Sequence, residues 1–97
     1  MTEIEIDDKS VRITGHAGSG GIGKDLVCCA VSTAWYMLRH LLSSPNYSFN
    51  GVVTQEVEGD CRISFETADS EGLKAFREST DFFRQLAEEY PEYVKIK

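Results

Sequence analysis

Five of the eight glycines in this chain crowd into the stretch from Gly15 to Lys24. Glycine loses more backbone freedom on ordering than any other residue, so such a stretch is a poor helix or strand interior. The chain has to change element here. It enters from an alternating run and leaves into a helical one. The stretch therefore reads as a mobile loop between a strand and a helix, and the other elements can be placed around it.

On the N-terminal side, residues 2–7 alternate with Ile4 and Ile6 on one face, and residues 11–14 alternate with Val11 and Ile13. Asp8-Lys9-Ser10 between them reads as a turn, which predicts a hairpin. On the C-terminal side, Asp25 suits an N-cap or a first helical turn. Val27, Ala30, Val31, Ala34, Leu38, Leu41 and Leu42 then share one helix face. The helix is predicted to end near Ser43-Ser44, ahead of Pro45. At about 100° per residue, Cys28 stacks with Ser32, Trp35 and Arg39 at the edge of that face, and Cys29 turns away with Tyr36 and His40.

Val52 to Val57 and Cys61 to Thr67 are strand-like, with a turn at Glu58-Gly59-Asp60, which predicts a second hairpin. Cys61, Ile63 and Phe65 share a face, so Cys61 reads as a small core residue. A second helix starts at Asp69 or Ser70, with an apolar stripe of Leu73, Phe76, Phe83, Leu86 and Tyr90. Pro91 stops it, and Tyr93 to Ile96 can close the sheet. The order ββαββαβ predicts a single α+β domain over residues 1–97, with two helices packed on a largely antiparallel sheet.

The formal net charge of -6, without a Lys/Arg cluster, argues against nucleic acid and suits a basic peptide partner. Three cysteines, two of them adjacent, do not make a disulfide framework and point to a reducing cytoplasm. The N-terminus is charged and alternating, unlike a signal peptide, and no apolar run approaches a membrane span.

The loop invites nucleotide readings that fail on chemistry. Gly18 to Gly23 fits GxGxxG, but the acidic residue expected about 20 positions on is absent and a hairpin follows. Gly18 to Lys24 fits GxxxxGK, but Asp25 stands where a magnesium-binding hydroxyl belongs. A zinc site from His16, Cys28, Cys29 and Cys61 is disfavoured because adjacent helical cysteines diverge. No metal and no cofactor is expected.

A cysteine nucleophile with a histidine base is the sharper reading. A thiol at a helix N-terminus meets unpaired N–H groups, and a histidine on a neighbouring strand end could exchange its proton. On local chemistry alone, a helix-buried cysteine and an unrelated loop histidine are the better account of the same pair.

Gly15-His16-Ala17, then a glycine-bearing loop, then Gly23-Lys24-Asp25-Leu26-Val27-Cys28-Cys29-Ala30-Val31-Ser32, closely resembles the signature of the ribosomal-processing cysteine proteases of the Prp family. That pattern runs GHA, a variable loop, then G-x-D-I-V-C-A-A-V-S. Cys29 stands where the family usually has a small residue. The resemblance implies a homodimeric bacterial endopeptidase that removes an N-terminal extension from the twenty-seventh protein of the large ribosomal subunit. It implies Cys28 as nucleophile and His16 as general base, with Asp25 and Ser32 in support. The loop glycines Gly18, Gly20, Gly21 and Gly23 would lie over substrate. The alternative of a different class is a non-catalytic module that binds a ribosomal partner.

Overall fold

The computed structural model describes residues 1–15 and 22–97, and side chains for 1–15 and 27–97. His16, Gly18, Gly20 and Gly21 lie outside the described residues, as does the side chain of Asp25.

The alternating runs at the N-terminus form the expected hairpin. β1 (Thr2–Asp7) and β2 (Ser10–Thr14) pair antiparallel, Asp7 opposite Ser10 and Glu3 opposite Thr14. Ile4, Val11 and Ile13 turn inward and are buried, while Glu3, Glu5 and Arg12 occupy the opposite face. The long helix α1 (Ile22–Ser43) follows, then β3 (Phe49–Asn50) and β4 (Val53–Val57). β5 (Asp60–Ser64) returns antiparallel to β4 and also pairs with β2, Ile13 opposite Cys61. β6 (Thr67–Ala68), α2 (Ser70–Glu89) and β7 (Val94–Ile96) complete the chain. The main sheet has the order β4-β5-β2-β1-β7.

The α+β layout agrees with the sequence reading, and four details differ. α1 begins at Ile22, so Gly23 and Lys24 are helical rather than part of the loop. A helical glycine costs about 1 kcal/mol relative to alanine, which continuing hydrogen bonds offset. Asp25 is accordingly a first-turn residue and not the cap. The run from Cys61 to Thr67 is two strands, because Glu66 donates its backbone N–H to Asn50 and β6 pairs with β3 in a separate small sheet. β7 joins the edge parallel to β1, Thr2 opposite Val94. Tyr90 is exposed at the end of α2, where it is the C-cap and its backbone N–H bonds Leu86.

The core lies between the sheet and the helices. Val27, Val31, Ala34, Leu38 and Leu42 of α1 meet Phe76, Phe83 and Leu86 of α2 over Ile4, Val11 and Ile63. Full burial of a side chain such as Phe76 or Phe83 contributes about 1.5–3 kcal/mol. An edge-to-face series runs from Phe49 through Phe65 to Phe76, with centroids 5.1 and 5.0 Å apart. Asp69 caps α2, accepting the Gly72 N–H at 2.8 Å.

Candidate active site

A cavity of about 240 Å³ opens between α1 and the sheet end where β2 finishes. The helix wall is Cys28, Val31, Ser32, Trp35 and Tyr36, a set spaced three and four residues apart on one side of α1. The facing wall comes from Ile13 and Gly15 at the end of β2, Cys61 and Asp60 at the start of β5, Glu56 of β4 and Gly59 in the turn. Cys28 is exposed. Gly15, one peptide bond before His16, lines the same space.

Glycine is needed at both ends of that wall. Gly15 has a φ of 87°, and a Cβ there would stand 2.4 Å from the carbonyl oxygen of Met1. Gly59 supplies a φ of 80° in the turn from β4 to β5. The N–H of Gly15 donates to the carbonyl of Gly59 at 2.9 Å, tying the second hairpin to the exit of β2.

The three sulfurs differ in setting. Cys28 lies in the second turn of α1, one turn further in than the sequence reading placed it, because the helix starts earlier. Cys29 is exposed and is not part of the cavity wall. Cys61 is the surprise: it packs against the core, yet it lines the same cavity as Cys28. Burial pushes its thiol up, and the nearby carboxylates of Glu56 and Asp60 add to the effect. Its S–H points to the carbonyl of Val57 at 3.8 Å. Cys61 is thus held as a neutral thiol beside the exposed one.

Both carboxylates of the rim are engaged. Arg12 binds Asp60 through two parallel contacts of 3.1 and 3.0 Å, and this hydrogen-bonded pairing holds the Asp60 carboxyl below its ordinary value. Trp35 Nε1 donates to Glu56 Oε1 at 3.0 Å, and Arg39 pairs with the same oxygen. The indole N–H first, then the guanidinium, lowers Glu56. Arg39 also lies over the Tyr36 ring, 4.9 Å from its centroid.

Helical stacking puts Cys28, Ser32, Trp35 and Arg39 in one column; the first three line the cavity and Arg39 does not. Ideal helical spacing puts Tyr36 on the face of Cys29. It lines the cavity with Cys28 instead, with Arg39 stacked on its ring. Glu56, Gly59 and Asp60 carry no local signal of a site, and the alternation around Cys61 marks it as a core residue. They reach it only because β5 pairs with β2.

These features define an α+β domain with an exposed thiol on a helix facing a strand-end cleft. The chain matches the family model of cysteine protease Prp over residues 1–95, and it belongs to that family of cysteine proteases. Comparison with curated proteins gives no match. Among solved structures it is similar to SMU.848 from Streptococcus mutans, with 30% identity, a TM-score of 0.73, and 99% of this chain and 90% of the other covered. It shares the fold of the essential ribosomal processing protease Prp from S. aureus in two complexes. With a covalently linked product peptide the identity is 19% and the TM-score 0.72; with a substrate peptide they are 18% and 0.73. Each covers 99% of this chain and 95% of the other.

Proposed function

We propose that this chain is an endopeptidase that trims the N-terminal extension of a ribosomal protein, the twenty-seventh of the large subunit, during ribosome assembly. Cys28 is the nucleophile and His16 the general base. The observation that carries the reading is that Gly15 and Cys28 line one cavity: the strand that leads into His16 ends where the exposed thiol of α1 stands. Membership of the Prp family and the ribosomal role of the S. aureus protein support the substrate.

The chemistry is acyl transfer. His16 takes the thiol proton as Cys28 Sγ attacks the scissile carbonyl carbon. The tetrahedral adduct collapses, the C–N bond breaks, and the proton goes from His16 to the departing amine. Water, deprotonated by His16, then attacks the thioester. The carboxylic acid of the cut extension leaves and the thiol is restored. Asp25 and Ser32 support the pair. The loop with Gly18, Gly20 and Gly21 covers the substrate, and Gly23 in the first turn of α1 ends it.

The working unit is a homodimer in the cytoplasm. Every residue of edge strand β4 is exposed, including Val53 and Val57, and Met37 of α1 is 68% exposed. Cover for such an edge is the physical support for a second copy.

The deciding experiment is cleavage of a synthetic peptide that spans the extension and mature start of the host's target protein. The parent should cut once, at the junction, and His16→Ala should lose about 10² to 10⁴ in rate. Equal turnover of parent and His16→Ala would remove His16 from the mechanism.

A further inference from the structure

The acyl-transfer chemistry makes no use of Glu56, yet both aromatic walls of the cavity converge on it. Its neighbour across the ladder is Cys61, so Glu56 stands on the helix side of the exposed edge strand. There Oε1 accepts the indole N–H of Trp35 at 3.0 Å and pairs with Arg39. Arg39 in turn covers the ring of Tyr36. Trp35 is only 5% exposed, so its N–H has little access to water as a replacement acceptor. Asp60, the other carboxylate of the rim, is occupied by Arg12.

We propose that Glu56 is a positioning residue, whose carboxylate fixes Trp35 directly and Tyr36 through Arg39, and so sets the shape of the substrate cleft beside Cys28. The proposal rests on the reading of Cys28 as the nucleophile of that cleft. A residue that shapes the cleft acts on peptide binding more than on the chemical step, so KM should move and kcat should move less.

Trp35 is the single tryptophan of the chain, so emission reports the surroundings of this one indole. The experiment compares the parent with Glu56→Gln, Glu56→Ala and, as a control, Glu58→Gln in the neighbouring turn. Glu56→Ala should raise KM for the extension peptide about tenfold, as expected for losing a hydrogen bond to a charged group, with a smaller fall in kcat. Its Trp35 emission should shift to the red as water reaches the indole. Glu56→Gln keeps an acceptor for the indole and should show the same changes at smaller amplitude. Glu58→Gln should match the parent.

Unchanged emission in Glu56→Ala overturns the proposal. So does a fall in kcat at constant KM, which would assign Glu56 to the chemical step. If circular dichroism shows that Glu56→Ala does not fold, Glu56→Gln carries both readouts. If the folded parent cleaves no peptide, the protease reading fails by itself, and Trp35 emission still decides whether Glu56 holds the cleft wall.

Discussion

The backbone N–H of Gly15 meets the carbonyl oxygen of Gly59 at 2.9 Å, and this contact joins two hairpins at the mouth of the cavity. Gly15 ends the run that leads to His16. Gly59 turns β4 into β5, which brings Cys61 and Asp60 to the facing wall. Both glycines have positive φ, so neither position tolerates a side chain without strain.

Gly15→Ala should therefore lower both stability and turnover. The added Cβ would meet the Met1 carbonyl at 2.4 Å, a backbone atom that cannot swing aside. Positive φ on alanine adds a cost of about 1–3 kcal/mol. Urea denaturation should show a lower midpoint, and peptide cleavage should fall further than stability alone explains. A variant with the parent's midpoint and rate would show that this close approach does not hold the site.

Acid should weaken the fold through its surface carboxylates. Asp60 is lowered by its hydrogen bonds with Arg12, Glu56 by Trp35 and Arg39, and Glu3 by Lys97. A carboxylate lowered in the folded state binds fewer protons there than in the unfolded chain. Its contribution is complete above the ordinary carboxylate range, about 3.9 to 4.3, and is lost as pH falls through the lowered values. The urea midpoint should stay level from neutral pH down to that range and drop below it. Asp60→Asn should flatten part of the drop. The groups are exposed, so the effect should shrink in high salt. A midpoint level down to pH 3 would contradict the assignment.

The sheet edge gives a separate expectation. β4 lacks a partner on its outer side among the described residues, and Val57 is 64% exposed. Light scattering at micromolar concentration should give the mass of two chains. Val57→Lys, which places a charge on the edge, should shift the equilibrium toward one chain. A single-chain mass for the parent would exclude the homodimer.

The local half of this structure was legible in the residues. Ile4, Val11 and Ile13 alternate because one face of their hairpin is buried. Val27, Val31, Ala34, Leu38 and Leu42 repeat at helical spacing because one side of α1 meets the core. The non-local half was not. Nothing near Val94 announces that β7 will lie parallel to β1, since that pairing joins the two ends of the chain. The strands Phe49–Asn50 and Thr67–Ala68 are too short to show a period. Glu56 and Cys61 enter the cavity only through the pairing of β5 with β2, which no local pattern encodes. Cys28, Ser32 and Trp35 could be stacked from helical geometry. Local chemistry offers His16 as a base for a helix cysteine and Asp25 as a cap or first-turn residue, and the resemblance is what favours the catalytic reading over a core cysteine and a loop histidine.

The adjacent sulfurs allow a direct test of register. Cys28 lines the cavity with Ser32 and Trp35, while Cys29 is turned about 100° further round α1. A fixed histidine cannot serve both, because hydrogen-bond reach is about 2.6–3.2 Å. Cys61 lines the cavity too, but burial keeps its thiol protonated and its S–H is directed at Val57. Cys28→Ala should lose essentially all hydrolysis. Cys29→Ala, which restores the residue usual in the family, should keep most of it, as should Cys61→Ala if the core repacks. All three should fold by circular dichroism, because Cys28 and Cys29 are exposed and Cys61 is small. Iodoacetamide should label Cys28 before Cys61, since the thiolate is the reacting form. Peptide mass analysis reads the order, and loss of activity should track modification of Cys28. If Cys28→Ala still cleaves the extension peptide and Cys29→Ala does not, the nucleophile is the second cysteine, and the cleft between α1 and β5 is not where the peptide is cut.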